Sequence, residues 1–261
     1  MKKRAVITLI LSVIMALAAC GTVSNTSAES GDAASVKETL QQAFGKVLWD
    51  IYQQGILPDG SKLEYIDMES AANNSFAIID IDNDGQDELL LMWESASMAG
   101  MTEIILGYEG GAVYTELAEF PSQTFYDNGI VEVDWSHNQG LAGTFWPFDV
   151  CCYDAKKDIY QSYGGADAWD KSVAEENYEG VPFPTDIDVD GDGVVYYIFP
   201  ADWSGQYEDI PLVDGAEYEK WRNAYIDGAE KIEISLQKLT EENIAALGYP
   251  KPDISLPQPL G

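Results

Sequence analysis

Phe76-Ala77-Ile78-Ile79-Asp80-Ile81-Asp82-Asn83-Asp84-Gly85-Gln86-Asp87-Glu88-Leu89-Leu90-Leu91 is the stretch on which the reading of this chain turns. Two apolar runs bracket a loop with acids at its first, third and fifth positions, glycine at the sixth and Glu88 at the ninth. Alternate acids in a curling chain point their carboxylates at one centre, and glycine permits the sharp bend. Gln86 at position seven can add a backbone carbonyl and Glu88 a further carboxylate. Oxygen-only ligation of this kind suits calcium, which takes about 6–8 oxygens at about 2.3–2.6 Å. Five acids in nine residues repel one another, so a cation would tighten the loop. Position twelve, where an EF-hand places a bidentate glutamate, is Leu91 inside an apolar run, so this is no helix–loop–helix hand. Asp and Gly are also ordinary turn formers, but a bare turn needs neither alternate acids nor an acid at position nine.

The pattern of Asp80, Asp82, Asp84, Gly85, Glu88 and Leu89 resembles the calcium motif of FG-GAP and VCBS-type repeats. That resemblance implies a calcium ion held between two antiparallel strands. The chain is also similar to lipoproteins of Gram-positive gut bacteria that carry one such loop after an N-terminal helix. Propeller families repeat the unit around a ring, whereas this chain has one clear copy, which argues against a propeller.

A second cluster, Asp186-Ile187-Asp188-Val189-Asp190-Gly191-Asp192-Gly193, shares the alternation of acids. Its ninth position falls on Val194 or Tyr196, so it reads first as an acidic surface loop and second as a weaker metal candidate through Asp186, Asp188, Asp190 and Asp192.

Around these loops the pattern predicts an α+β fold: an N-terminal amphipathic helix, an antiparallel β-meander and C-terminal helices. Val36, Leu40, Phe44, Val47, Leu48 and Ile51 recur at spacings of three and four over 34–56, with Gly55 and Pro58 as stops. Glu109-Gly110-Gly111 and Asp127-Asn128-Gly129 each sit between β-rich runs, as hairpin turns do. Further runs cover 144–153, 158–163 and 194–199. Tyr218, Trp221 and Tyr225 share one face of a helix over 214–227, Ile232, Ile234 and Leu236 alternate as a strand, and Thr240 caps a last helix ending at Gly248. One domain over 34–249 is expected, followed by a Pro-rich tail over 250–261.

Residues 1–19 combine Lys2, Lys3 and Arg4 with an apolar stretch that ends Leu17-Ala18-Ala19-Cys20. The stretch is short for a spanning helix, which needs about 20 apolar residues. It resembles a bacterial lipoprotein signal peptide, and that resemblance implies cleavage before Cys20, acylation there (palmitate among the attached chains) and an extracytoplasmic protein anchored to the cell membrane. Residues 21–33 are small and polar, a tether with an r.m.s. reach of about 20 Å.

The 261 residues include 14 Lys and Arg against 45 Asp and Glu, a formal charge of −31. Such a surface excludes nucleic acid as a partner and leaves the N-terminal lipid as the one expected contact with a membrane. His137 is the only histidine, so no histidine-based zinc site can form, and no Gly-x-Ser-x-Gly elbow or phosphate loop is present. Cys151 and Cys152 are adjacent on an expected strand and read as buried thiols, since a vicinal bridge would be strained. Trp135, Trp146, Trp169 and Trp203 lie in or beside expected turns, where they either fill the core or form a platform for sugars. These features lead to a non-enzymatic binding domain with structural calcium, whose ligand is a glycan, a peptide or an envelope protein. The alternative is a secreted glycan- or peptide-directed hydrolase using paired carboxylates. An inhibitor or chaperone-like envelope lipoprotein ranks third.

Overall fold

Leu89, Leu90 and Leu91 are all buried, so the strand that carries them needs cover on both of its faces. This requirement shapes the whole chain. The computed structural model describes residues 32–64, 73–138, 140–249 and 251. The signal segment, Cys20, the tether and all but residue 251 of the tail beyond Pro250 lie outside them.

The described residues are mixed and mostly β, with two antiparallel sheets and three α-helices. Helix α1 (Asp32–Gln54) is followed by β1 (Ser75–Ile79), β2 (Glu88–Trp93), β3 (Thr102–Glu109) and β4 (Ala112–Glu119). These pair in sequence order, and β11 (Gln237–Lys238) adds at the β1 edge. A second sheet then runs in order through β5 (Gln123–Phe125), β6 (Ile130–Asp134), β7 (Phe148–Asp154), β8 (Ile159–Asp170), β9 (Val194–Pro200) and β10 (Leu212–Val213). Helices α2 (Gly215–Ile226) and α3 (Glu241–Ala245) complete the set.

The expected single meander is therefore corrected to two meanders packed face to face. The chain changes sheet between β4 and β5, where Ser122 takes a positive φ of 92°. Alternation along a strand reports which side chains are buried but not how many layers bury them, so the change of sheet left no mark in the pattern.

The packing order follows from the pleat, which sends successive side chains to opposite faces. Phe76, Leu89, Leu91, Ile104 and Leu106 point outward and meet Leu40, Phe44, Leu48 and Ile51 of α1 together with Ile244 of α3. Ala77, Leu90, Ile105 and Leu117 point inward, with Ile81, and meet Phe125, Val131, Val133, Cys151 and Tyr160 of the second sheet. On the far side of that sheet, Ile130, Phe148, Val150 and Cys152 meet Tyr218, Trp221 and Tyr225 of α2. Four layers result: helices, sheet, sheet, helix. Cys151 and Cys152 thus lie on opposite faces, and Cys151 is a free buried thiol, so the two form no vicinal bridge.

The expected strand over 232–236 is also corrected. Ile232 and Ile234 pack against the inter-sheet core, but ladder hydrogen bonds are confined to the bridge of Tyr126 with Lys231 and the Ile232 N–H on Phe125 O at 2.9 Å. The C-terminal helix begins as expected, with Thr240 Oγ1 accepting from Asn243 N at 3.3 Å.

One buried acid in the first sheet sets a pH dependence. Glu103 is 3% exposed, and its Oε2 accepts from Gln123 N at 3.1 Å. Burial pushes its carboxyl from 4.5 up to about 7. Between those values the unfolded chain has released this proton and the folded chain has kept it, so Glu103 subtracts stability as pH rises, by up to about 1.4 kcal/mol per unit. Glu103→Gln keeps the acceptor and removes the ionisation. In urea unfolding the variant is expected to be more stable than wild type at pH 8 and no more stable at pH 4. Equal differences at both pH values would contradict this origin.

Candidate metal centre

The loop between β1 and β2 closes a hairpin whose last pair is Ile79 with Glu88. Asn83 (φ 64°) and Gly85 (φ 96°) take left-handed conformations, and the chain curls there as the sequence predicts. The curl is held by the acids themselves. Asp82 Oδ1 accepts from Asp84 N at 3.0 Å, Asp80 Oδ2 from Gly85 N at 3.1 Å and Asp84 Oδ1 from Gln86 N at 2.7 Å. Glu88 Oε2 accepts from Ile81 N at 2.8 Å, bringing the ninth position back over the second. Gln86 Nε2 donates to Tyr108 O at 2.8 Å, which ties the loop to β3.

In this arrangement one oxygen of Asp80 and one of Asp82 are committed to the backbone while Asp80 Oδ1 and Asp82 Oδ2 are buried with no hydrogen-bond partner. One oxygen each from Asp80, Asp82 and Glu88 lies within 4.8 Å of the others. Oxygens on a common calcium at 2.3–2.6 Å sit up to about 5 Å apart, so the group has the dimensions of a calcium shell. Among the described residues no ion pair reaches any of the three.

Burial, and then the charge of Asp84, pushes the Asp82 carboxyl up to about 7. Burial, and then Asp82, pushes Glu88 up to about 10. Asp80 is raised by burial and by Asp84. Glu116 of β4 joins them, pushed up to about 9 by burial and by the charges of Asp82 and Asp158. Either protons or a cation must offset so much buried negative charge. One cation can take lone pairs from all three carboxylates at once, which separate protons cannot, and so it fits this donor set better.

Of the residues expected in the loop, Asp80, Asp82 and Glu88 form one group and Asp84 falls in a second, with Asp82 again and Asp158. Asp158 and Glu116 were not singled out from the sequence. Neither sits in an acidic pattern of its own, and only the packing of the two sheets brings them to the loop. Tyr160 is a further surprise: its hydroxyl is buried without a partner, and the charges acting on it are those of Asp82, Glu116, Glu88 and Asp80.

The second cluster divides. Asp188 and Asp190 group with Asp214, the residue before α2, while Asp186 and Asp192 stand outside. Its carboxylates serve turns: Asp188 accepts from Gly193 N at 3.3 Å, Asp190 from Asp192 N at 3.1 Å and Asp214 from Val189 N at 3.1 Å. None of the buried, unpartnered oxygens belongs to this cluster.

The four tryptophans do not make a common platform. Trp169 is 1% exposed, Trp135 stacks on Phe199 at 5.6 Å and Trp203 packs on the same ring at 4.5 Å, which leaves Trp146 as the exposed one. His137 is exposed, with Ser136 Oγ 3.1 Å from its Nδ1. A cavity of about 130 Å³ is lined instead by Tyr178, Tyr197 and Tyr207 together with Asp167 and Glu179. Compared with known proteins, the chain matches no family model, no curated protein and no solved structure.

Asp82→Asn retains the acceptor for Asp84 N–H and removes one buried charge. With a chelator present the variant is expected to unfold at the same or higher urea concentration than wild type. With calcium present it is expected to be less stable by about 1–3 kcal/mol, the cost of losing a charged ligand contact. The same ranking in both buffers would count against a cation.

Proposed function

We propose that this protein is a lipid-anchored extracytoplasmic binding domain in which calcium at Asp80, Asp82, Asp84, Gln86 and Glu88 fixes the β1–β2 hairpin structurally. The observation that carries the reading is the pair of buried, unpartnered oxygens on Asp80 and Asp82 inside a carboxylate group that no ion pair reaches among the described residues. Calcium would supply the opposing charge and leave the loop's backbone hydrogen bonds in place. The amphipathic helix expected from residue 34 would then follow directly from the tether, its apolar face against the first sheet. Membrane contact would run through the lipid on Cys20 alone. Among the described residues no helix is long and apolar enough to cross a membrane.

The ligand is read as a glycan, a peptide or an envelope protein. The tyrosine-lined cavity supports the first two, because flat rings stack on sugars and Asp167 and Glu179 supply acceptors there. The second reading, a glycan- or peptide-directed hydrolase, rests on the same place. Asp167 is 1% exposed, and burial raises its carboxyl, as a general acid requires.

Two measurements test the first reading. Calcium titrated into the chelator-stripped protein is expected to raise its melting temperature, reaching about 2.7 kcal/mol of added stability at a free concentration 100 times Kd. A melting curve that ignores calcium would end the proposal for the loop. Expressed from its full sequence in a bacterium that processes lipoproteins, the protein is expected in the membrane fraction, and Cys20→Ser in the soluble one. Equal partition of the two would remove the anchor.

A further inference from the structure

We propose that Asp82, Asp84 and Asp158 form a second calcium position beside the first, sharing Asp82 and Asp84 with it and joining the two sheets. This rests on the loop reading above and extends it to a residue outside the loop. One oxygen from each of the three lies within 4.8 Å of the others. Asp84 and Asp82 belong to the hairpin of the first sheet, whereas Asp158 sits in the turn between β7 and β8 of the second.

Asp158 is held for such a task. Its φ of 57° is a left-handed conformation that Asp and Asn tolerate better than most side chains. The hydroxyls of Tyr153 and Tyr114 each donate to one of its carboxylate oxygens. Two neutral donors orient the carboxylate and leave its charge unopposed, as outer hydrogen-bond partners do for metal ligands. Of the two lysines of that turn, Lys157 pairs with Asp154 at 3.4 Å, and among the described residues no ion pair joins Lys156 to Asp158.

A separate observation points into the same space. Glu116 is 5% exposed, and its Oε2 has no hydrogen-bond partner. The charges that act on it are those of Asp82, Asp158 and Asp84, the members of this group. A Cβ at Gly107 would collide with the Glu116 carboxylate, so glycine there makes room for that side chain. Asp82 and Asp84 can serve both positions because a carboxylate has two oxygens and about four lone-pair sites, enough to bridge two cations. An ion so placed would staple the β1–β2 loop to the β7–β8 turn across the end of the sandwich.

Native mass spectrometry and calorimetry on the full chain, stripped with chelator and titrated with calcium alone, test this. Wild type is expected to take two ions. Asp158→Asn, which tolerates the same φ and keeps one oxygen to accept from a tyrosine hydroxyl while its amide donates to the other, is expected to take one, as is Asp80→Asn. Far-UV circular dichroism checks that the variants fold, and the wild-type stoichiometry stands without them. One ion in wild type, or two ions that both survive Asp158→Asn, overturns the second position. One ion that is lost in Asp80→Asn leaves the loop site standing while this inference falls. No ion in wild type removes both.

Discussion

Negative charge buried without a base, at the end of a β-sandwich, is the constraint from which the rest of the structure takes its meaning. Asp82, Glu88 and Glu116 are 7%, 2% and 5% exposed, and Asp80 is close by. A carboxylate taken out of water is among the most costly groups a fold can bury, and like charges beside it raise the cost. The fold does not relieve this by opening the loop. Ile81, between two of the acids, is itself 1% exposed and packed in the inter-sheet core. The loop is thus pinned from beneath by hydrophobic contact while its acids are forced together above. An interaction that neutralises them acts directly on the registry of β1 and β2, and through Ile81 and Tyr160 on the seam between the sheets.

The layers explain why the acids stay where they are. Each central strand is covered on both faces, by α1 on one side of the first sheet and by α2 on the far side of the second. Movement of the loop along the strand direction would slide Leu89, Leu90 and Leu91 out of two cores at once. A one-residue slip would exchange the two faces entirely. The sandwich is therefore stiff where the carboxylates converge, and stiffness is what turns a set of acidic side chains into a site with fixed dimensions.

Much of this was legible in the sequence because it is local. Alternate acids, glycine at six and an acid at nine are a statement about one turn of chain, and the backbone hydrogen bonds from Asp84, Gly85 and Gln86 to those acids realise it. Helix α2 and the Thr240 cap were legible for the same reason. Contacts made between sheets were not. Asp158 and Glu116 reach the loop only through the stacking of two sheets, and the alternation that found the neighbouring strands carries no information about which sheet they join. Ile232 and Ile234 show the limit from the other side: their alternation reported their partial burial correctly but implied a ladder that stops at Ile232. The tryptophans illustrate it again, since residues beside turns can face inward, as Trp169 does.

Glu132 supplies the comparison that gives the acidic loop its significance. It too is a buried carboxylate on a central strand, 7% exposed. There the chain provides a partner: Arg222 of α2 makes two hydrogen bonds to it, at 2.6 and 2.8 Å, and Tyr126 donates a third at 2.8 Å. Removing one member of such a buried pair is costly because the other charge is left uncompensated. This fold therefore has the means to neutralise an acid it seals in, and it uses one of only 14 basic residues to do so. At the β1–β2 loop it seals in several acids, aligns them with backbone donors and tyrosine hydroxyls, and among the described residues pairs them with no base. The same chain under the same physical penalty treats the two places differently, and the difference is accounted for when the positive charge at the loop comes from outside the chain.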